Sequence, residues 1–370
     1  MKILYITTIG GTMILFKSLI KELITEGNTI DIATNETCSK VPEYYKEWGC
    51  KIFDISTSRS PFNLGNIKAV SQIKKIVKEN KYDIVHCHTP LAGMATRLAC
   101  RKLRKKQGVK VIYTAHGFHF YKGAPKKNWL LYYPIERICS KWTDVLITIN
   151  KEDFEFGTSK MKSNKVVFIP GVGIDASKYA EISIDRAKIR NEIGVPTDAF
   201  MVMSVGELNK NKNHETVIKA LGMMNDNNIH YVIAGVGPLN NYLEDLAKKE
   251  KVNLHLLGFR NDINSLFKAC DINIFPSIRE GFGLGAIEGM ASGRPTICAR
   301  NRGTITFGKP GKNCLFFDSK DYIVLSKLIS VILHNKDLAK RLSTGFEEDL
   351  DSFTTTSINK QIEQIYLSKE

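Results

Sequence analysis

The stretch Arg279-Glu-Gly-Phe-Gly-Leu-Gly-Ala-Ile-Glu-Gly-Met-Ala-Ser-Gly-Arg-Pro295 decides how this chain is read. It follows Asp271-Ile-Asn-Ile-Phe275, an apolar run of the kind that forms a strand buried on both faces. Pro276 and Ser277 end that strand. Gly281, Gly283 and Gly285 then open a helix whose body is Ala286 to Ala291, and Gly293 and Pro295 stop it. A glycine-rich turn from strand to helix lets a ligand approach the backbone, and the free N–H groups of the first helical turn favour an anion. Glu280 lies just before the turn and Glu288 one to two turns into the helix, with seven residues between them. Amides suit a phosphate, whereas carboxylates accept hydrogen bonds from sugar hydroxyls. The local chemistry is that of a nucleotide-sugar site. The plainer reading of such a glutamate is a surface residue stabilising a helix dipole, worth roughly 0.3–1 kcal/mol.

Outward from this segment, strands and helices alternate along the whole chain. Strand-like runs are Ile3–Thr8, Thr29–Thr34, Ile52–Ile55, Ile84–His86, Lys110–Thr114, Val145–Ile149 and Lys165–Ile169, with helix-patterned segments such as Ile14–Thr25 and Asn66–Glu79 between them. A second series is Phe200–Val205, His230–Gly235, Leu254–Leu257, Asp271–Phe275, Thr296–Ala299 and Cys314–Phe317. Such alternation predicts an α/β protein with two Rossmann-like, doubly wound parallel-sheet domains facing a cleft. The turn-rich Ile169-Pro-Gly-Val-Gly-Ile-Asp175 is the linker candidate. The expected domains are residues 1–170 and 171–354, with a helix over 355–370, clearest over Ser357–Lys369, returning to the first. At 370 residues the chain is too long for one ordinary core, which agrees with two.

The start of the chain superficially mimics a signal peptide. Its apolar run, Ile3 to Phe16, is interrupted by Thr7, Thr8, Gly10, Gly11 and Thr12, lacks a cleavage site, and is shorter than the roughly 20 residues a span needs. It reads as strand, glycine loop, helix. Eight cysteines are scattered without a Cys-x-x-Cys pair, which fits reduced thiols in a cytosol rather than a disulfide framework or zinc site. The net charge of +15 is uneven: Arg97 to Lys127 holds ten basic residues and no Asp or Glu. Phe118, Phe120, Tyr121, Trp129, Leu130, Leu131, Tyr132 and Tyr133 interleave with and follow them. That combination suits an anionic membrane surface over Arg97–Tyr133; the rivals are a solvated helix face and, less favoured, nucleic acid.

The whole segment Ser277-Ile-Arg-Glu280 to Pro295, with its Glu-x7-Glu pair, resembles the signature of retaining glycosyltransferases of the two-lobed GT-B fold, family 4 type. The resemblance extends over essentially the whole chain and is strongest from Val205 to Pro295. It implies that Glu288 binds ribose hydroxyls, that Glu280 meets the transferred sugar, and that the amides of Phe282, Gly283 and Leu284 face the diphosphate. After Gly206, Lys212 matches the family's phosphate-binding lysine, while Glu207 stands where relatives carry an arginine. Asn209, Lys210 or another residue would then supply the second phosphate contact. The segment around Phe259 and Arg260 resembles the loop that holds the base, with Arg260 near base or phosphate. Arg302-Gly303 resembles a further family loop, but Thr306 replaces a frequent carboxylate, and the loop is left out of the site.

In the first half, Gly10 and Gly11 end the first strand where relatives bring backbone beside donor phosphate and acceptor. Tyr113-Thr-Ala-His-Gly-Phe-His119 places His116, with His119 as the weaker candidate, where the family has a histidine near the transferred sugar. His86 and His88 raise the question of metal, but no carboxylate pair completes a ligand set beside them. The resemblance therefore implies a metal-independent hexosyl- or N-acetylhexosaminyltransferase that needs no cofactor and takes a UDP-sugar. Its acceptor would be a glycan, in this branch of the family polyprenyl-linked, built into capsule, exopolysaccharide or surface glycan. The implied location is the inner face of a bacterial plasma membrane, with no role for nucleic acid. The alternatives are a nucleotide-sugar 2-epimerase of related fold and a non-catalytic sugar-binding subunit.

Overall fold

A computed structural model describes residues 1–180 and 183–368; Lys369 of the expected terminal helix, and Glu370, lie outside them. The chain forms two compact units, Met1–Val172 joined by the C-terminal segment from Thr355, and Gly173–Thr354. In the first unit seven strands form one parallel sheet. They are β1 (Lys2–Ile9), β2 (Thr29–Asn35), β3 (Ile52–Asp54), β4 (Ile84–His88), β5 (Lys110–Ala115), β6 (Val145–Thr148) and β7 (Lys165–Phe168). Their order is β3-β2-β1-β4-β5-β6-β7.

The second unit holds six parallel strands: β8 (Phe200–Val205), β9 (Ile229–Ala234), β10 (Asn253–Leu256), β11 (Ile272–Phe275), β12 (Thr296–Ala299) and β13 (Leu315–Phe317). Their order is β10-β9-β8-β11-β12-β13. In each sheet the winding reverses once, between β1 and β4 and between β8 and β11. Loops that leave neighbouring strands toward opposite faces open a crevice at such a point, so ligands of open parallel sheets bind there. Two doubly wound parallel sheets are what the sequence predicts.

Alternate residues of each strand serve opposite faces. Leu4 and Ile6 join Val85 and Val111 in one buried cluster, while Ile3 and Tyr5 join Ile32, Ile84 and Ile112 in another. Burial on both faces explains why these strands read as continuous apolar runs. The helix Thr355–Leu367 covers part of the second face with Ile358, Ile365 and Tyr366. The Tyr366 hydroxyl lies 2.5 Å from that of Tyr5, and Lys110 Nζ donates to the carbonyls of Ile365 and Ser368 at 2.6 and 2.7 Å. Strand boundaries agree with the sequence reading to within one residue except at β4, and one helix differs in kind. β4 runs on to His88, and the expected helix from Ile14 begins as a 3-10 turn, Gly10–Phe16, before the α-helix Lys17–Thr25.

The basic, aromatic stretch needs a larger correction. Arg97 is not on a surface: it is 1% exposed, bonds Glu136 at 2.8 Å, and lies 4.0 Å from the Tyr113 ring centre. Its acidic partner stands beyond Lys127, so the acid-free window concealed it. Phe118 and Phe120 are also buried, and Trp129, Tyr132 and Tyr133 pack against the same core. Large rings gain more from burial than from display.

A buried pair of this kind is costly to break from one side, because the surviving charge has no solvent. Glu136→Ala should lower the unfolding temperature of the first unit by on the order of 10 °C in calorimetry. Arg97→Met combined with Glu136→Leu should recover most of that loss.

Candidate functional site

The loops leaving β8 and β11, the two strands at the reversal, are bound into one body. Asn211 Nδ2 donates to the carbonyl of Arg279 at 2.9 Å, and the Ile278 N–H donates to the carbonyl of Asn211 at 2.8 Å. Asn213 Nδ2 adds a bond to the carbonyl of Pro276 at 3.0 Å. Gly206 adopts φ +152°, and a Cβ there would stand 3.1–3.3 Å from the Lys212 stem. A residue without a side chain is needed both for that backbone and for the lysine to lie across it.

Lys212 Nζ reaches Glu280 Oε1 at 2.7 Å and lies 5.3 Å from the centre of the Phe275 ring. Two residues 68 positions apart are therefore in contact, both about one-fifth exposed. Asn209 is committed locally, its Oδ1 accepting the Lys212 N–H at 2.9 Å, and Glu207 and Lys210 are exposed. Lys210 is thus the cation of this loop left facing solvent.

The helix Leu284–Ala291 starts at Gly283, whose φ is +112°, and no side chain caps it. Its first amides are open to an anion. The side chain of Phe282 is buried against Phe307 and Phe353, leaving its backbone as the part that can serve a ligand. Glu288 accepts a 2.9 Å hydrogen bond from the Tyr179 hydroxyl. Burial raises its carboxyl above the usual range, and the Tyr179 bond acts in the opposite sense. Arg260 grips Asp262 with two bonds, 2.8 and 2.6 Å, while its neighbour Phe259 is 75% exposed. At this loop the solvent-facing group is therefore the ring, with the guanidinium held to its own loop.

The sequence reading passed over two features of this unit. Tyr179 is one, since a lone tyrosine far from the glycine-rich segment carries no local signal. The loop after β12 is the other. Asn301 Oδ1 accepts the N–H groups of Gly303 and Thr304 at 3.0 and 3.1 Å, and its Nδ2 donates to the carbonyl of Ser277 at 2.9 Å. Gly303 lies directly against the Phe282 backbone. The loop buttresses the turn, and the Thr306 hydroxyl donates back to the Arg302 carbonyl at 3.0 Å. An asparagine two residues before a glycine, just after a strand, was the available signal.

In the first unit, the carboxyl ends of β4 and β5 bring three histidines together. His86 spends both ring nitrogens on hydroxyls, of Tyr366 at 2.6 Å and Thr114 at 2.8 Å. His88 Nδ1 lies 3.2 Å from His116 Nε2, and His88 Nε2 is buried without a partner. Burial holds His116 down to about 4 and His86 to about 3, with the nearby His116 a second cause for His86, so both are neutral at pH 7. The tautomer that orphans a lone pair rather than an N–H has His88 Nδ1 donating to His116 Nε2. It leaves His116 Nδ1 as an N–H donor. His119 stacks on Tyr132 at 4.6 Å. The amides of Gly10 and Gly11 donate to Ser39, at its carbonyl (2.9 Å) and its Oγ (3.2 Å).

Known proteins resemble this chain in sequence and in fold. Residues 185–348 match the family described as Glycosyl transferases group 1, and residues 2–150 match the Glycosyl transferase 4-like family. EpsD of Bacillus subtilis (strain 168), named provisionally as a glycosyltransferase, is 36% identical over 320 residues, covering 85% of this chain and 84% of that protein. An Escherichia coli UDP-Gal:alpha-D-GlcNAc-diphosphoundecaprenol alpha-1,3-galactosyltransferase is 33% identical over 68% of this chain and 64% of its own length. Among solved structures, Anabaena Alr3699/HepE in complex with UDP and glucose superposes with a TM-score of 0.81 over 100% of both chains. At 19% identity that likeness speaks for the fold.

Lys212 and Glu280 satisfy each other, so a bound anion must compete for the lysine. Lys212→Ala should weaken binding of a nucleoside diphosphate roughly 10-fold or more, the worth of a charged hydrogen bond. Glu280→Gln should instead tighten it, because the lysine is released. Titration calorimetry reads both signs.

Proposed function

Since this chain belongs to the group 1, family 4-like glycosyltransferases, enzymes that include makers of surface polysaccharides, we propose that it moves a sugar from a UDP-sugar onto a polyprenyl-diphosphate-linked glycan. In this reading transfer proceeds with retention at the anomeric carbon and without a metal. The observation that carries it is the convergence of Lys212, Glu280 and an uncapped helix N-terminus at the reversal point of one sheet. The UDP complex of the Anabaena protein and the substrates in the name of the Escherichia coli relative support the choice of donor and acceptor.

The roles follow from charge. Departure of UDP builds negative charge on the diphosphate, and the Lys212 ammonium with the amides of Phe282, Gly283 and Leu284 stabilises it without reorganising. Glu288 accepts from the ribose hydroxyls and Phe259 offers a face to the base. Glu280, once Lys212 turns to phosphate, accepts from hydroxyls of the sugar being moved. Within the first unit His116, neutral and with an N–H to give, is a donor of the kind that suits a sugar hydroxyl. Glu280 and Glu288 are engaged by Lys212 and Tyr179 and are assigned here to hydroxyl recognition, so in this reading the acceptor attacks from the face the leaving group vacates, and a departing phosphate oxygen takes its proton. Release of nucleotide from one donor among UDP-, GDP- and ADP-sugars, undiminished by EDTA and lost at least 100-fold in Glu280→Ala, is the expected result of a donor panel. NMR of the product would show the anomeric configuration kept. A requirement for added divalent metal, or an inverted product, would overturn the corresponding part of the reading.

A lipid-linked acceptor places the enzyme at the inner face of the membrane. Among the described residues no helix is long and apolar enough to cross one. The docking surface proposed here differs from the aromatic one expected from the sequence. On the helix Lys126–Cys139 the exposed positions Leu130, Pro134 and Ile138 repeat every four residues, forming one apolar stripe. Exposed Lys126 and Lys127 precede it and exposed Lys141 follows it. Lys141 also lines an open basin of about 880 Å³ with Arg101, Lys102, Lys105 and Lys106. Apolar insertion flanked by cations fits an anionic bilayer. Sedimentation with phosphatidylglycerol vesicles should fall several-fold for Leu130→Glu/Ile138→Glu and vanish in high salt. Equal binding to neutral phosphatidylcholine vesicles would refute the electrostatic part.

A further inference from the structure

The geometry points to Tyr179 as a positioning residue that holds Glu288 for recognition of the ribose diol. This rests on the reading of Glu288 as the ribose ligand. Glu288 lies on the helix Leu284–Ala291 and has three side-chain torsions to fix before it can meet two hydroxyls at once. Tyr179 fixes them with one bond, its hydroxyl donating to Oε1 at 2.9 Å across 109 residues of sequence.

The tyrosine is itself held. Its ring is 9% exposed. The short helix that carries it, Ser177–Ala180, packs against the helices Ile263–Ala269 and Leu284–Ala291. Asn264 Nδ2 donates to the carbonyl of Lys178 at 3.1 Å, and Ser177 Oγ donates to Asp175 Oδ1 at 2.6 Å. The phenol is thus presented by a pinned turn rather than by a swinging side chain.

The count of acceptor sites fits the task. An ionised carboxylate offers about four lone-pair directions on two oxygens. Tyr179 uses one on Oε1, leaving the other direction of Oε1 and all of Oε2. A vicinal diol needs two acceptors, one for each O–H, and a carboxylate locked in one rotamer meets both without further ordering cost. A ligand without those hydroxyls gains nothing from the lock. Tyr179 therefore contributes to selectivity for ribonucleotides over deoxynucleotides, and much less to affinity for nucleotides as such. A tyrosine that only filled space would support both alike.

The experiment compares binding of UDP and 2′,3′-dideoxy-UDP by titration calorimetry for the wild type, Tyr179→Phe, Glu288→Gln and the double variant. Tyr179→Phe keeps the ring and removes only the bond. Its preference for UDP over the dideoxy analogue should fall roughly 5- to 10-fold, with binding of the analogue changed less than about twofold. In the Glu288→Gln background the same change should add little, since the pair acts as a unit. Equal weakening of both ligands by Tyr179→Phe would make the residue structural and overturn the inference. Collapse of the preference in Glu288→Gln with an intact preference in Tyr179→Phe would overturn Tyr179 alone. An unchanged preference in Glu288→Gln would overturn the ribose reading and this inference with it.

Discussion

A parallel strand buried on both faces meets solvent only at its ends, and that constraint places every chemical group in this protein. In the first sheet alternate residues of each strand serve two separate cores, and the central strands of the second sheet are buried as well. Side chains with chemistry to do must stand just beyond the carboxyl ends. Lys212 follows β8, Glu280 follows β11, and His88 and His116 mark the ends of β4 and β5. In the second unit the reversal of strand order makes β8 and β11 neighbours, which brings loops from distant sequence within hydrogen-bonding reach.

Loops at such a point are precise only if something fixes them. Here asparagine does most of it: Asn211 and Asn213 tie the β8 loop to the β11 loop, and Asn301 ties the β12 loop to the same turn. An amide side chain can donate to one carbonyl while accepting from a backbone N–H, so it replaces two strands' worth of ladder where no ladder can form. The turn around Gly281 to Gly283 gains a rigid frame, and its open amides keep their direction when no ligand is present. Rigid donors aimed in advance are what electrostatic catalysis requires.

The sequence made the architecture legible because period, length and punctuation agreed at every strand: thirteen apolar runs were expected and the two sheets contain thirteen strands. Local motifs were legible for the same reason, as with Gly206 beneath Lys212. Partnerships were not. Nothing in the run from Arg97 to Lys127 announces Glu136, nothing near Glu288 announces Tyr179, and Arg260 looked available until Asp262 was seen to grip it. Such pairs depend on where chain segments meet, and a one-dimensional pattern encodes burial more directly than contact. The aromatics after Lys110 show the limit well. Their interleaving with lysines suggested a membrane face, yet burial of ring area outweighs display, and the exposed stripe is the aliphatic one on the helix Lys126–Cys139.

If the proposed function holds, the Lys212–Glu280 pair couples the sensing of donor nucleotide and sugar. Each group, left alone in a part-buried position, would carry a desolvation cost; paired, they offset it. A nucleoside diphosphate that takes Lys212 leaves Glu280 without its cation, and the carboxylate then seeks donors. The hydroxyls of an attached sugar supply them, whereas a nucleotide without a sugar does not. Part of the binding energy of the diphosphate is therefore held back until the sugar is in place, which favours the complete donor over the free nucleotide product. Interactions withheld in this way do not deepen the product's well, which would suit an enzyme that must release a nucleotide product after every transfer.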